Sequence, residues 1–412
     1  MRRSSIQTSD LESAILRQIR ACERISRVAL ARDLGLAPST AGVYVERLIA
    51  EGYVRETEEA TGETGRPPRS LRLNPLGGEF IGVDFEARNI MAVAVDFSDR
   101  PLRNGHKEIA PRDSAEQVIA KLADAIRAVL PPAGSRLLAI GVGVPGTVDS
   151  RQGIAIKYKF IPQWTNVELA RRLSEIFAVP VFLENNARSM ALAEMWFGQG
   201  KGHEDFLCVS VRNGVGVGMV LNGQLYCGAH HAAGELGRWL YPFLSPQVAP
   251  WFAPGTSEGF ELQEISSVRA LQQALDCAIQ QGRRTVLSGR KSPFSVADIV
   301  GACQQRDALT LRVIDTAAGA LGWALGQLSL TIDPAKVILA GPLTALGEVF
   351  LRPLRNRVER VLQLSGTNSP EIVCSTMGEF SGALGAAALA LHEWKPVIGK
   401  SNSRQPRRKR RA

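Results

Sequence analysis

The stretch Glu184-Asn185-Asn186 sets two carboxamides behind a carboxylate, after the apolar run Val181–Leu183 and ahead of a helix-like segment, ARSMALAE. Polar groups at the C-terminal end of a buried strand commonly face a ligand cleft in α/β proteins. Carboxamides there could donate to and accept from a polar small molecule, but they cannot take a proton as a carboxylate can. Asn also favours turns and helix N-caps for local reasons, so both readings stay open on the residues alone. A second group lies near the start of the chain. Ser39, Thr40, Tyr44 and Arg47 fall on one short predicted helix, with types suited to base edges or phosphates. Arg66 and Arg69 flank Pro67-Pro68, where an arginine on a loop could enter a narrow minor groove or simply be solvated.

These groups need elements to hold them. Residues 10–58 read as compact and largely helical. Leu11, Ile15 and Ile19 recur at helical spacing, with Asp10 as a candidate N-cap. A second helix follows Ser26, with Val28, Leu30, Ala31 and Leu34 available to pack. Gly35 interrupts the chain, and Pro38 suits the first turn of a third helix whose buried side would use Val43, Leu48 and Ile49. Gly42 is costly inside that helix, by about 1 kcal/mol against Ala. YVRETEE and RSLRLN then read as strands joined by ATGETGRPP. Three helices and a hairpin outline a winged helix-turn-helix over residues 1–75.

Beyond Gly78 the pattern changes to strands alternating with helices. EFIGVDFEARNIMAVAVDFS holds two strands; RLLAIGVGVPGTV and PVFLENN hold two more, separated by helical patterns at 114–130 and 166–178. A second set runs through DFLCVSVR, GVGMVLNG, QLYCG, helices across 262–330, and AKVILAGP. Asn222-Gly223 sits where a tight hairpin turn is wanted. The alternation predicts an α/β architecture with two similar lobes and a cleft between them, over residues 76–396.

Bulk numbers set bounds. The length, 412 residues, allows two or three domains, and 45% hydrophobic with 22% charged residues is ordinary for a soluble globular protein. No uninterrupted apolar run reaches the roughly 20 residues of a membrane span, and the basic N-terminus has no apolar core behind it. The default is cytoplasmic. Of the net charge of +9, seven cations follow Pro396 with no acid among them, leaving the remainder at +2. That tail, residues 397–412, is expected to be disordered. Cys22, Cys208, Cys227, Cys277, Cys303 and Cys374 show no C-x-x-C spacing, which predicts reduced, mostly buried thiols.

Five segments, in order, resemble the ROK family (repressors, open reading frames and sugar kinases), specifically its regulators of the xylose- and N-acetylglucosamine-repressor type. They are GVGVPGTVDSRQGI, ENNARSMALAE, NGVGVGMVLNGQLYCGAHHAAGELG, ILAGPLTALGEVFLRPLRNRV and GALGAAALAL. The resemblance spans about residue 10 to 395. It implies an N-terminal winged helix-turn-helix followed by a two-lobed actin-like ATPase (ROK) domain, assembled as a homodimer or homotetramer.

Departures from the family's kinase pattern bear on chemistry. Asn186 stands where the kinases carry the Asp that acts as general base. Asp84-Phe85-Glu86-Ala87-Arg88 stands where they resemble Asp-x-Gly-Gly-Thr, so Phe85 and Glu86 would bring bulk and repelling charge toward the phosphates. Gly214, Gly216 and Gly218 keep the second loop, as phosphate contacts or as tight strand turns. Arg238 replaces a zinc-binding His, and LSPQVAPWFAPGTSEGFE replaces the family's cysteine cluster. Tetrahedral zinc needs about four N or S ligands, and His230 and His231 lack partners, so no metal and no cofactor is expected. Phe160 stands where the family commonly has Asn, four residues before Trp164. Glu235 matches the sugar-binding Glu. Arg238 suits an acidic or phosphorylated sugar, or else pairs with a local carboxylate.

The resemblance therefore implies a transcriptional regulator, a repressor of carbohydrate-related genes. It would bind double-stranded operator DNA through Ser39, Thr40, Tyr44, Arg47, Arg66 and Arg69, and a sugar through Asn185, Asn186, Glu235 and Arg238. Two alternatives remain: an ATP-dependent sugar kinase fused to a DNA-binding domain, and a regulator whose ROK domain is only an oligomerisation scaffold.

Overall fold

The computed structural model describes residues 8–396 except 23, 59–68, 87, 243, 253, 254, 257 and 364. Helix α1 (Thr8–Cys22) buries Ile15 and Ile19; it begins ahead of Asp10, which lies within the helix rather than at its cap. In α2 (Arg27–Asp33) the Ser26 hydroxyl accepts from the Ala29 N–H at 3.2 Å, and Leu30 and Ala31 face inward. Gly35, at φ +62, turns the chain into α3 (Pro38–Ala50). The inward stripe of α3 is Ala41, Val45 and Leu48, at the i, i+4, i+7 spacing of one helical face. Val43 lies off that stripe and is 53% exposed, and Val28 is 74% exposed; both were expected to pack. Strands β1 (Val54–Glu58) and β2 (Arg69–Leu73) pair antiparallel, with Val54 opposite Leu73. The wing loop carrying Arg66 lies outside the described residues, as does the basic tail.

Lobe I is built on β3 (Glu79–Phe85), β4 (Asn89–Asp96), β5 (Pro101–Glu108), β6 (Leu137–Val144) and β10 (Val181–Asn185). Helices α4 (Ala115–Ala128) and α5 (Leu169–Phe177) pack on it, and β7 (Thr147–Asp149), β8 (Ile154–Lys157) and β9 (Thr165–Val167) form a small sheet at its edge. Residues 165–167 thus belong to a strand, and the expected helix starts only at Leu169. Lobe I ends in α6 (Asn186–Phe197).

Lobe II repeats the plan with β11 (Phe206–Val211), β12 (Val215–Leu221) and β13 (Gln224–Tyr226), then the short pair β14 (Leu240–Tyr241) and β15 (Phe260–Glu261). Helices α7 (Gln263–Ser266), α8 (Val268–Gln280), α9 (Val296–Gln304) and α10 (Ala308–Ile332) follow. Strand β16 (Lys336–Ala340), α11 (Glu348–Leu362), β17 (Glu371–Cys374) and α12 (Ser381–Glu393) complete the chain. The sheet orders are β10-β6-β3-β4-β5 and β13-β12-β11-β16-β17. In each, three antiparallel strands lead into two parallel ones, so one topology is used twice. Asn222 and Gly223, at φ +51 and +69, make the hairpin turn between β12 and β13. Helix α10 is long and apolar enough to cross a membrane by length and composition alone, yet Val313, Ala317, Leu321 and Ala324 are buried in the lobe II core.

Helices α6 and α12 lie between the sheets. A Cβ on Gly82 or Gly141 would run into the backbone of α12, and one on Gly385 into that of α6 at Ser189. These three glycines are what allow helix and sheet to meet at backbone contact. The winged helix joins the same packing. Ile15, Ile19, Val45, Leu48 and Tyr53 share one core with Phe80, Phe97, Leu391 and Trp394 of lobe I and α12. Tyr53, Phe97 and Trp394 contact one another with ring centroids 5.2–5.8 Å apart. Each such pair adds about 0.5–1.5 kcal/mol beyond buried area.

All six cysteines are free. Cys208 and Cys303 are buried, Cys22 is exposed and the other three are intermediate, so fewer are buried than the sequence suggested.

Candidate functional site: an interlobe cleft and a winged helix

A cavity of about 370 Å³ opens between the lobes. Lobe I contributes Glu86, Lys157, Phe160, Asn185 and Asn186; lobe II contributes Ser210, Arg212, Glu235 and Arg238. The volume falls within the 300–1,000 Å³ range typical of small-molecule sites.

At its floor, β10 ends and α6 begins. The Asn185 side chain caps α6: its Oδ1 accepts from the Ala187 N–H at 2.9 Å, while its Nδ2 donates to the Gly146 carbonyl at 2.9 Å. Such a cap contributes about 1 kcal/mol. Both ends of this amide are therefore in use, and the turn-and-cap reading describes Asn185. Asn186 differs. It sits in the first turn of α6 and lines the cavity, and among the described residues no protein group hydrogen-bonds its carboxamide.

Glu184 is an anchor rather than a cavity residue. It is 4% exposed, and its Oε1 accepts from Arg188 Nε at 2.6 Å, the Asn185 N–H at 2.6 Å and the Ser150 hydroxyl at 3.2 Å. Arg188, itself buried, donates onward to the His231 and Ala233 carbonyls at 3.0 and 3.2 Å. One buried ion pair thus holds the lobe II loop against α6. Arg188 was missed in the sequence; its i+4 spacing from Glu184 is the one local signal that could have found it.

The side of the cleft at the end of β3 is cross-braced. Arg212 Nη1 lies 2.5 Å from Asp84 Oδ2 and 3.8 Å from Glu86 Oε1, and Asn213 Nδ2 donates to Glu86 Oε2 at 3.3 Å. Asp84 and Arg212 are 128 residues apart and on opposite lobes. Burial alone would lower the guanidinium's pKa, but the two carboxylates raise it and keep the charge in place. Burial also raises Asp84, against the pull of Arg212. With two acids sharing one cation, Glu86 is left undercompensated, and burial pushes it up to about 7. Phe85 does not intrude, contrary to expectation. Successive residues of a strand face opposite sides, so Phe85 turns into the lobe I core, 1% exposed, against Trp164 at 5.3 Å. Trp164 is likewise buried beneath the cleft, while Phe160 lines it with Arg269 at 5.6 Å from its ring.

Gly216 and Gly218 have a packing reason. A Cβ at either would press on α6, at Ala187 and Ala191, so the glycines let β12 approach the helix. Arg238 stands on the exposed rim and pairs with Glu235, Nε to Oε2 at 3.3 Å. Arg238 thus has a local carboxylate partner and also lines the cleft. Exposed His230 and partly buried His231 are not joined by other ligands: among the described residues no group of three or more His, Cys, Asp or Glu side chains is placed to hold a metal ion.

On the winged helix, Ser39, Thr40 and Arg47 are exposed and Tyr44 is half-buried. Helix α3 has no side-chain cap, which leaves its first-turn N–H groups open to an anion. The Arg47 guanidinium lies 5.4 Å from the Tyr44 ring and 3.8 Å from buried Glu12. Arg69, at the base of the wing, reaches Glu56 at 3.5 Å. Beside Gly42 nothing lies within 4 Å of a Cβ position, so the glycine is not required by packing inside this chain.

The ROK family model matches residues 80–393, and a model described as winged helix-turn-helix DNA-binding matches residues 9–55. The chain is 26% identical over 391 residues to the xylose repressor of Bacillus subtilis, covering 94% of this chain and 96% of the repressor. Among solved structures, a ROK family transcriptional regulator, homolog of the E. coli MLC protein, superposes with a TM-score of 0.76 at 22% identity, over 93% of this chain and 96% of that one. A ROK hexokinase from Thermus thermophilus superposes with a TM-score of 0.60 at 30% identity, over 76% of this chain and 97% of the enzyme.

Proposed function

The chain belongs to the ROK family, and from that membership we propose that it is a sugar-responsive transcriptional repressor which binds operator DNA and does not phosphorylate its ligand. The DNA-binding part is residues 1–75 and the sugar domain residues 76–396. In this reading α3 enters the major groove, with Ser39, Thr40, Tyr44 and Arg47 toward bases and phosphates and the wing arginines Arg66 and Arg69 beside them. Two winged helices in a homodimer, or in a homotetramer of such pairs, would meet two half-sites. Such a regulator works beside the chromosome, in the cytoplasm.

The observation that carries the reading is the free carboxamide of Asn186, at the position where a sugar kinase needs a base. It can hold a hydroxyl but cannot accept its proton. The Asp84–Arg212–Glu86 brace supports it, because a triphosphate would have to compete with two carboxylates for one guanidinium. With Arg212 and Arg238 both engaged by carboxylates, a neutral sugar is the first ligand to test, and an acidic or phosphorylated one the second.

Footprinting on DNA upstream of the gene, at moderate salt, tests the proposal. Protection of a defined site is expected; binding that is only non-specific and vanishes with salt would overturn it. The kinase reading, favoured by the likeness to a hexokinase, expects ATP-dependent product from the natural chain, improved by Asn186→Asp. The scaffold reading expects no thermal stabilisation by any sugar, since a ligand specific for the folded state must raise its melting temperature.

A further inference from the structure

A second and larger cavity lies far from the cleft floor, at the seam between the winged helix and the rest of the chain. It holds about 670 Å³. Its walls come from α1, from the wing strands β1 and β2, from the turn between β4 and β5, and from the end of α6. Its charge is one-sided: Arg17, Arg20, Arg55, Arg72, Arg100 and Lys201 line it, with Asp99 as the acid among the lining residues.

Asp99 is already taken. It pairs with Arg20 at 3.0 Å, and Arg20 also lies over the rings of Phe97 and Trp196 at 5.8 and 5.5 Å. The guanidinium groups of Arg17, Arg55, Arg72 and Arg100 meet no carboxylate among the described residues. What sets these four apart is that they line one cavity together with Arg20 and Lys201. Arg55 and Arg72 stand directly opposite each other on the wing ladder, so their side chains share one face. Like charges placed that way destabilise a hairpin unless something neutralises them. Moreover, Arg72 Nε is buried without a hydrogen-bond partner, a donor whose desolvation is not repaid inside the described structure.

We propose that this seam cavity is a binding site for a phosphate-bearing small molecule. Its arginines supply the forked donors that a phosphate accepts in pairs, and partly buried Met195, Trp196 and Phe197 supply an apolar wall for the rest of the ligand. A concave site favours a small molecule over the DNA backbone. None of the α3 residues Ser39, Thr40, Tyr44 and Arg47 lines the cavity, so it does not open along the helix that would read DNA. Because its walls belong to both the wing and the end of α6, an occupant would bridge the DNA-binding part and the sugar domain.

Calorimetric titration of the full-length chain with inorganic pyrophosphate and with AMP tests this. Saturable binding is expected for the natural chain, weakened about tenfold or more in the double variant Arg55→Gln/Arg72→Gln and unaffected by Asn186→Ala in the interlobe cleft. Arg100→Gln, at an exposed position, should give a smaller loss and guards against a folding defect in the double variant. The proposal is overturned if neither probe binds saturably, if the double variant binds as well as the natural chain, or if Asn186→Ala abolishes binding. It is equally overturned if the double variant leaves probe binding intact but weakens DNA binding, which would assign these arginines to the DNA backbone.

Discussion

At the scale of single residues, the cleft is governed by who holds Arg212. Two carboxylates converge on it, and Glu86 bears the cost, titrating near 7 against an ordinary value near 4.5. The folded chain then binds that proton more tightly than the unfolded one. Stability attributable to Glu86 falls as pH rises from about 4.5 to 7 and is flat above. Glu86→Gln should remove this slope. Urea unfolding at pH 8 is expected to show the variant more stable by on the order of 1–3 kcal/mol, with little difference at pH 5, where the natural side chain is already neutral. A variant less stable at both pH values would mean that the carboxylate strengthens the brace. The identity of these residues was legible in the sequence, but their partnership was not. Nothing local in the chain announces a contact across 128 residues, and the same holds for the carbonyls that Arg188 reaches 43 and 45 residues away. Phe85 was misjudged for a related reason: a linear motif gives spacing but not which side of the strand each residue faces.

At the scale of elements, α6 has a double role. Its first turn presents Asn186 to the cleft, and its last turn places Trp196 5.5 Å from the Arg20 guanidinium of α1. One rigid helix of 12 residues therefore touches both the proposed sugar site and the DNA-binding domain. Trp196→Ala should leave sugar affinity within about twofold while reducing the effect of sugar on operator binding by 0.5–2 kcal/mol, roughly two- to thirtyfold. Parallel fluorescence-anisotropy titrations of sugar and of DNA would read both. Equal responses in variant and natural chain would remove α6 from the coupling. Helices α1–α3 were readable because their apolar residues recur at helical spacing and their breaks fall at Gly35 and Pro38. Val28 and Val43 were misplaced because hydrophobicity alone does not say which face meets the core. Strand β5 escaped notice because PLRNGHKE is a polar edge strand with little apolar alternation.

At the scale of the whole molecule, the winged helix shares a continuous core with lobe I, so it is mounted rather than tethered. A sugar in the cleft cannot act by loosening a linker. It must favour one arrangement of the lobes and, in the homodimer proposed above, one spacing of its two winged helices. The two-lobed plan was readable from the repeated strand–helix alternation. The shared core was not, because it joins residues near 15–53 to residues near 80–97 and 391–394, which no periodicity connects. Operator affinity measured at one fixed salt concentration, with and without each candidate sugar, tests this arrangement most directly. One sugar should weaken operator binding by about five- to 150-fold, and saturating operator DNA should weaken that sugar's binding by the same factor. A sugar that binds saturably while operator affinity stays unchanged, or that is converted to a phosphorylated product, would contradict it.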